Sequence, residues 1–474
     1  MPKKCNAKHT KGVGIVKAEV VLQLQKIVGE GGILTSKEDL TTYSYDGTTT
    51  WAHMPDVVVL PTTTEQVSQI LKLANENLIP VTPRGGGTNV SGGSIPIKGG
   101  IVLCTTKMNK IIEINKGNLV ATVEPGVILQ DLNLALAKEC LFYPPDPQSF
   151  FGCTLGGTVA ENAGGPYALK YGVTKQYLLG LEVVLASGEV VKLGGVTPKN
   201  RTGYELMILF AGSEGTLGMI TKITVRLLPL PKAQKSMLAV FDDMVTAGDA
   251  VSKILANGIL PAKIEFLDNW FLRRIEELNP MGLPTEARAL LLVQSDGNPA
   301  AVEAETEQIL NICRKSDAKE TRVAKDDAEA TMLWRARGAG FAAIFSSSPT
   351  ILTEDVTVPR DKIAPFMKKL EDISKLYDLP IRVVGHAGDG NLHPCIPTDI
   401  KNREYFERAT SAMNEVFEAA LSFGGVLSGE HGIGLEKQRF LKKAMDPVAI
   451  EIMKKIKAIL DPNHILNPGK IWED

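Results

Sequence analysis

The feature that most constrains the fold is a series of glycine-rich segments between residues 83 and 218, which alternate with short apolar strands. The first segment follows the strand IPVTP and consists of Pro83-Arg84-Gly85-Gly86-Gly87-Thr88-Asn89. Three consecutive glycines let backbone N–H groups crowd around an anion, because no Cβ blocks the approach. This loop therefore favours phosphate binding, with a flexible surface turn as the alternative interpretation of a single run.

The loop does not stand alone. Further turn-forming segments, most of them rich in glycine, follow at residues 144–147, 154–158, 161–165, 170–172 and 211–218. The spacing in the first loop matches neither G-x-G-x-x-G nor G-x-x-x-x-G-K-S/T, which disfavours a Rossmann site for NAD and a Walker A loop. Several such loops that converge on one groove would suit a long, flat ligand with phosphates, such as FAD.

Composition and charge exclude several classes of protein. The 474 residues predict two or three domains at roughly 150 residues each. A net charge of −2 argues against a chain whose main partner is nucleic acid. The six cysteines include no C-x-x-C pair, so neither a zinc cluster nor an iron–sulfur segment is encoded. Residues 1–12 are basic without a following apolar signal segment, and no apolar run reaches 18 residues. We expect a cytoplasmic protein with free thiols and no transmembrane segment.

The order of predicted elements divides the chain into three parts. Residues 56–218 read as an α+β region, in which Thr63 or Thr64 caps a helix over TTEQVSQILKLANEN. Residues 229–235 predict a linker. The strands SMLAVFDD and ARALLLVQSDG, each followed by a helix, are typical of a ferredoxin-like sheet. Helices dominate after Arg403, the last one beginning at Asp446-Pro447. The predicted domains are 15–230, 231–402 and 403–474.

A second constellation consists of His386-Ala-Gly-Asp-Gly-Asn391-Leu-His393 and, further on, Ser428-Gly-Glu430-His431. VVGH, AGDGN and LHPC predict a strand, a turn and a strand, so a hairpin would bring both imidazoles together. With Glu430 the set offers two nitrogens and one carboxylate, which suits Zn²⁺, Mn²⁺ or Fe²⁺ in a catalytic role. Hydrogen-bonded hairpin histidines with a surface Glu-His pair are the alternative.

The segments PRGGGTN, PPDP, TLGGTVAENAGG, KYG and GSEGTLG together resemble the FAD-binding fold of the vanillyl-alcohol oxidase and p-cresol methylhydroxylase superfamily. Within it, the chain resembles the branch of the FAD-linked D-lactate dehydrogenases and glycolate oxidases, over nearly its whole length. The resemblance implies an α+β protein: a two-subdomain FAD-binding fold, a ferredoxin-like antiparallel cap domain and a helical C-terminal segment that returns to the flavin.

The resemblance also implies which residues contact FAD. Some relatives bind flavin covalently through a His beside the first loop, where this chain has Thr88 and Asn89, so non-covalent FAD is implied. The implied contacts are Pro83, Arg84, Gly85, Gly86, Gly87, Thr88, Asn89, Pro145, Asp146, Gly156, Gly157, Asn162, Gly164, Gly165, Tyr171, Gly172, Glu214, Gly215, Gly218, Ile220 and Asn467.

For the second constellation, the resemblance implies His386, His393 and Glu430 as ligands of a divalent metal and His431 as the base. Asn391 of the same motif is predicted to join the catalytic set. Arg337 matches the position of a carboxylate-binding arginine, in a helix predicted over DDAEATMLWRARGAGFAAIF, whereas Arg335 is expected to be solvated. Relatives that act on dicarboxylates have a Thr at the position of Phe341 and a Lys at or near the position of Glu354. The absence of both side chains here argues against a dicarboxylate substrate.

The leading hypothesis is an FAD-dependent dehydrogenase of a small D-2-hydroxyacid, with D-lactate first and glycolate or D-2-hydroxyglutarate as alternatives. The chain encodes no NAD fingerprint, iron–sulfur cysteines or C-x-x-C-H haem site, so the electrons must leave the flavin for an external acceptor. The resemblance favours a partner redox protein such as an electron-transferring flavoprotein. Two other hypotheses are a metallohydrolase with purely structural glycine loops and a catalytically silent flavoprotein within a larger complex.

Overall fold

Short, buried apolar strands form the first sheet of the computed structural model, which describes residues 16–473. Its order is β1-β2-β4-β3, with the first pair antiparallel and the other two pairs parallel. Parallel strands are covered on both faces, which explains the continuous valines of β2. The elements are β1 (Ile33–Leu34), β2 (Val57–Val59), β3 (Val81–Arg84), β4 (Ile101–Cys104), α1 (Ala18–Val28), α2 (Lys37–Thr42) and α3 (Thr64–Glu76).

The local sequence determines where helix α3 begins and which of its faces is buried. The Thr63 hydroxyl accepts a hydrogen bond from the Gln66 N–H, so Thr63 and not Thr64 is the cap. The apolar stripe of the helix is buried against the first sheet. Residues 1–12, from which we expect no signal peptide and which include Cys5, lie outside the described residues.

A second sheet of five antiparallel strands, ordered β5-β6-β10-β8-β9, stands beside a two-stranded ladder of β7 and β11. The strands are β5 (Ile111–Asn115), β6 (Val120–Val123), β7 (Leu141–Phe142), β8 (Leu178–Val184), β9 (Val190–Gly194), β10 (Met219–Arg226) and β11 (Leu228–Pro229). The helices of this region are α4 (Leu129–Ala137), α5 (Leu155–Glu161), α6 (Ala168–Tyr171) and α7 (Met207–Phe210), and 3₁₀ turns lie at Glu30–Gly32, Thr105–Lys107 and Thr174–Tyr177.

The third sheet has eight strands, and all their pairings are antiparallel. Four of its strands lie side by side in the order β15-β12-β14-β13. In the chain, one helix connects β12 to β13 and another connects β14 to β15, so the predicted ferredoxin-like unit is present. Strands β18, β19 and β16 extend it, and β17 pairs with β19. The strands are β12 (Ala233–Phe241), β13 (Lys263–Asp268), β14 (Ala289–Gly297), β15 (Glu320–Val323), β16 (Thr350–Thr353), β17 (Val356–Thr357), β18 (Arg382–His386) and β19 (Asn391–Thr398).

Two local predictions were wrong. The linker predicted at 229–235 is largely extended strand, because β11 ends at Pro229 and β12 begins at Ala233, paired with Gly297. The single helix predicted around Arg337 is two helices separated at Ala339. The helices of the third sheet are α8 (Met244–Ala256), α9 (Asn269–Leu278), α10 (Pro299–Lys315), α11 (Asp327–Gly338), α12 (Gly340–Phe345) and α13 (Ile363–Tyr377), with a 3₁₀ turn at Arg360–Lys362.

The last segment is helical, as predicted, and comprises α14 (Arg403–Ser422), α15 (Gln438–Ala444) and α16 (Pro447–Leu460). Asp446 caps α16 through its carboxylate, with Pro447 in the first helical turn. No helix within residues 16–473 is long and apolar enough to cross a membrane. The five described cysteines are free thiols, as predicted.

A buried lysine fixes the end of α16 to the first half of the chain. Lys457 is 4% exposed, and its Nζ donates to the carbonyl oxygens of Thr216 (2.7 Å) and Leu466 (2.8 Å) and pairs with Asp461. The Asn467 N–H in turn donates to the Val81 carbonyl at 2.7 Å. The segment that follows α16 is therefore attached to the first sheet.

Replacing this lysine should destabilise the fold. Lys457→Met leaves the Asp461 carboxylate buried without its cation, a change that costs about 3–5 kcal/mol. Thermal unfolding followed by circular dichroism should show a clear fall in the midpoint, whereas Lys454→Met, at a partly exposed position on the same helix, should change stability by about 0.5 kcal/mol or less. Equal midpoints for the two variants would contradict this role.

Candidate active site

The two histidines of the second constellation lie on one hairpin, as predicted. Strands β18 and β19 pair so that His386 is opposite Asn391 and His393 is opposite Val384. Gly390 closes the turn with φ +81°, where a Cβ would overlap the Val358 carbonyl oxygen. Both imidazoles are buried, and their ring centroids are 5.4 Å apart.

Glu430 completes a set of three groups that could hold a metal ion. Its Oε1 lies 3.2 Å from His386 Nε2 and 3.5 Å from His393 Nε2. Ligand atoms held at roughly 2.1 Å around a tetrahedral ion are about 3.4 Å apart, so these distances fit a divalent metal. Burial alone would raise the pKa of Glu430, but the neighbouring His386 and His393 hold that pKa below its ordinary value.

A second carboxylate orients His386 from the other side. Glu265 is fully buried on β13 and contacts His386 Nδ1 at 2.8 Å. Because a carboxylate can only accept a hydrogen bond, the Nδ1–H group of His386 donates to Glu265. The Nε2 lone pair of His386 then faces Glu430, unless a proton or a metal ion lies between them. Burial opposes a charge on His386, yet Glu265 and Glu430 raise its pKa well above the ordinary value. The site is therefore built to hold positive charge.

The same Glu265 also binds Arg337, whose Nη2 lies 2.7 Å from Glu265 Oε2. Arg337 is 4% exposed, whereas Arg335 is exposed, as predicted. Burial acts to raise the pKa of Glu265, but the positive charges of Arg337 and His386 bring it below its ordinary value. Arg337 and His386, the first of the predicted metal ligands, thus share one buried anion.

Asp355 organises the loop that contains Glu430 and His431. Its Oδ2 accepts hydrogen bonds from the N–H groups of Glu430 (3.1 Å) and His431 (2.9 Å) and from the Ser428 hydroxyl (2.6 Å). Its Oδ1 accepts from Asn391 Nδ2 at 2.6 Å. Burial would raise the pKa of Asp355, but the neighbouring cations and donors hold it well below the ordinary value. Asn391 therefore helps to position the loop.

His431 stacks on His393, with ring centroids 5.1 Å apart and ring planes 9° from parallel. Burial lowers the pKa of His431 to about 4, so its imidazole is neutral at neutral pH. His431 Nε2 lies 3.9 Å from Glu430 Oε1, and Nδ1 lies 4.0 Å from Asp355 Oδ2. Asp355, His393 and His431 form a second group that could hold a metal, but Asp355 Oδ2 already accepts several hydrogen bonds.

A cavity of about 340 Å³ opens where these residues meet the glycine-rich loops. Arg337, His393, Glu430 and His431 lie on its wall. The other predicted site residues that line it are Pro83, Arg84, Gly85, Gly86, Gly87, Thr88, Asn89, Gly156, Gly157, Glu214, Gly215, Gly218 and Ile220. The structure therefore brings most of the predicted cofactor loops and the ionisable residues to one place.

The remaining predicted contacts lie elsewhere. Gly164, Gly165, Tyr171 and Gly172 line a separate cavity of about 450 Å³, which reaches His386 and Glu430 from another side. Asp146 lines a third cavity. Asn467 supports the main cavity from behind by donating to the carbonyl oxygens of Gly93 (2.8 Å) and Glu214 (2.7 Å). Pro145 and Asn162 line none of these three cavities.

Sequence reasoning missed Glu265, Asp355 and Glu161. The carboxylate between the apolar Ile264 and Phe266 in the strand KIEFLD was a usable signal for Glu265, because charged groups are rarely buried without partners. Glu161 lines the main cavity, and within residues 16–473 its buried Oε2 has no hydrogen-bond partner. An open acceptor beside glycine-rich loops fits a ligand with hydroxyl groups and phosphates, as FAD has.

Comparison with known proteins agrees with this geometry. Residues 55–194 match the family model "FAD binding domain", and residues 230–471 match "FAD linked oxidases, C-terminal domain". The chain is 44% identical to the "Glycolate oxidase subunit GlcD" of Bacillus subtilis (strain 168), over 97% of both chains. It is 39% identical to a "D-lactate dehydrogenase" of Anaerostipes hadrus, over 88% of this chain and 89% of that one.

This chain is an FAD-linked oxidoreductase of the glycolate oxidase and D-lactate dehydrogenase family. Among solved structures, p-cresol methylhydroxylase with substrate bound has the same fold, with a TM-score of 0.79, 20% identity and 96% of each chain covered. The predicted family and fold are thus confirmed. Membership also supports FAD as the cofactor, while the individual FAD contacts stay predictions.

The first glycine loop gives a test of FAD binding. A Cβ on Gly86 would overlap the Gly152 carbonyl oxygen, and backbone cannot yield as a flexible side chain can. Gly86→Ala should therefore weaken FAD affinity by about tenfold or more, the effect of a shift that costs roughly 1–3 kcal/mol. The measurement is flavin absorbance relative to protein absorbance after dilution. Gly31→Ala is the control, because a Cβ there has no atom within 4 Å; equal flavin content would contradict the prediction.

Proposed function

We propose that the chain is a dehydrogenase of a small D-2-hydroxyacid, with D-lactate as the leading substrate and pyruvate as its product. The observation that carries the proposal is that a neutral imidazole (His431), a buried guanidinium (Arg337) and two groups that could bind a metal (His393 and Glu430) open on the cavity lined by the glycine-rich loops. Oxidation of a hydroxyacid needs a base for the hydroxyl proton, a cation for the carboxylate and a hydride acceptor. The names of the two relatives are compatible with this class and leave glycolate as the second candidate.

His386, His393 and Glu430 would hold a divalent metal, whose charge, when bound, lowers the pKa of a coordinated hydroxyl group. Bound FAD supplies the hydride acceptor. In this proposal the hydroxyl proton passes to His431 Nε2, the ring nitrogen nearer to Glu430. Asp355 and Asn391 hold the loop of His431, and the stacked His393 fixes the plane of its ring.

Arg337 is proposed to bind the substrate carboxylate. One of its nitrogens is engaged by Glu265, and its buried Nε has no hydrogen-bond partner among the described residues. A guanidinium can hold Glu265 and still present donors to a second carboxylate, which a lysine could not do in the same plane. Phe341 lies on the same cavity wall and presents an apolar ring, which suits a small monocarboxylate.

The electrons are proposed to leave the flavin for a partner redox protein, with an electron-transferring flavoprotein first, because the sequence has no motif for a second carrier. A cytoplasmic location is part of the same proposal. The metallohydrolase hypothesis fits poorly, because a family model for FAD binding covers most of the glycine-rich loops.

Flavin bleaching without oxygen tests the substrate. The purified flavoprotein, loaded with metal, is mixed with D-lactate, L-lactate, glycolate, D-malate or D-2-hydroxyglutarate. D-lactate should bleach the flavin fastest, and His431→Asn should slow bleaching by roughly two orders of magnitude or more while FAD stays bound. Bleaching by none of these acids would refute the proposed function, and normal rates in His431→Asn would remove that residue from the role of base.

Metal content gives an independent test of the ligand set. His386→Ala and Glu430→Ala should each lose bound metal and flavin reduction together and retain FAD, because each removes one of three ligands. Atomic emission counts metal per protein, and absorbance counts FAD. His464→Ala is the matched control, because His464 is exposed and outside the site. A metal-free protein that still reduces its flavin at the normal rate would exclude the metal.

A further inference from the structure

A third cavity, of about 780 Å³, lies beside the one that holds the proposed reaction. The two cavities share the lining residues Gln148, Arg337 and Gly338, so they meet at the proposed carboxylate-binding arginine. The third cavity extends from there between the segment of Asp146 and Tyr167 and the third sheet. Nothing in the proposed reaction accounts for its size or for the charged side chains on its wall.

The notable group on this wall is Lys263, at the start of β13. Its side chain is 9% exposed, and its Nζ lies 4.3 Å from the ring centroid of Tyr167 and 3.9 Å from that of Trp334. The ammonium has aromatic faces on two sides but no hydrogen bond or ion pair with any residue in 16–473. Aromatic faces attract a cation, but they do not replace a hydrogen-bond acceptor.

The carboxylates near Lys263 are engaged by other groups. Glu265 holds Arg337 and His386, Asp296 pairs with Lys170 and accepts from the Tyr171 hydroxyl, and Asp146 accepts from the Tyr167 N–H. Burial lowers the pKa of Lys263, with these carboxylates opposing the shift. A buried cation that faces an open cavity and has no acceptor among the described residues can bind an anionic ligand.

We propose that Lys263 binds a carboxylate in this cavity and is a substrate-binding residue for the acid that reaches Arg337. The identity of the ligand rests on the proposed function, since hydroxyacids carry the carboxylate. That carboxylate can be the reactive one on its way to Arg337, or a second one on a longer acid bound in both cavities. Since Phe341 presents an apolar ring to the main cavity, we expect the first case.

A quenching experiment tests the anion site without any reaction. Trp334 lies against Lys263, so its fluorescence, taken as the difference between the flavoprotein and its Trp334→Phe variant, reports on the site. Iodide, a negative quencher, should quench Trp334 about twofold less in Lys263→Met than in the unsubstituted protein, because the cation no longer concentrates anions. Neutral acrylamide should quench both equally.

Two further variants keep the test decisive. Lys263→Arg retains the charge and should retain iodide quenching, even if Lys263→Met alters the surroundings of Trp334. Lys253→Met removes an exposed lysine from α8, outside the cavity, and should change nothing. Iodide quenching that is the same in Lys263→Met as in the unsubstituted protein would overturn the proposal, whether or not a hydroxyacid substrate is found.

Steady-state kinetics then separate the two sources of the carboxylate. Loss of a charge-assisted hydrogen bond should lower kcat/KM by about tenfold in Lys263→Met, mainly through KM. An equal loss for D-lactate and D-2-hydroxyglutarate indicates a carboxylate in passage, and a larger loss for the dicarboxylate indicates simultaneous binding. Unchanged kcat/KM for every acid that reduces the flavin would overturn the role in substrate binding. If no acid reduces the flavin, the proposed function fails, and iodide quenching still decides whether the anion site exists.

Discussion

The arrangement of the site depends on one buried negative charge. Glu265 lies fully buried in a strand whose other residues are mostly apolar, and an unpaired carboxylate there would cost several kcal/mol. Its partners, Arg337 and His386, come from α11 and β18, so neutralising this charge draws two distant elements to one point. Removing either partner would leave the negative charge of Glu265 with too little opposing positive charge. The positions of the guanidinium and the imidazole are therefore coupled.

Two further carboxylates join the C-terminal segment to the rest of the molecule. Asp355 accepts hydrogen bonds from the backbone of Glu430 and His431, and Glu214 accepts from the N–H groups of Ile433 and Gly434, both at 2.7 Å. Asp355 belongs to the region of the third sheet, and Glu214 belongs to a glycine-rich loop. The short segment between them is therefore held from both sides, which places the proposed base His431 and the proposed metal ligand Glu430 between the glycine-rich loops and the hairpin.

Local features of this fold could be predicted from the sequence, because their causes are local. Thr63 and Asp446 cap helices through their own side chains, and the turn at Gly390 sets the register that unites His386 with His393. The resemblance to a family supplied the fold and placed Arg337, His393, Glu430 and His431 together. Glu265 and Asp355 could not be found from spacing, since their partners lie far away in the chain. Asp146 and Tyr171 follow motifs that looked like cofactor loops, yet their side chains line other cavities, an outcome that depends on how loops pack and not on the loop sequence.

The order in which the chain contributes to the site has a consequence for protein synthesis. A ribosome completes every glycine-rich loop by residue 218 and both hairpin histidines by residue 393, whereas Glu430, His431 and the anchoring Lys457 emerge afterwards. A nascent chain thus contains the sequence of these loops long before it has Asn467, which supports the main cavity, the group proposed for proton transfer and the third proposed metal ligand. Under the proposed function, reactivity with a hydroxyacid is then the last property that the growing polypeptide acquires, and a flavin captured early during translation would meet no complete site for a reducing substrate.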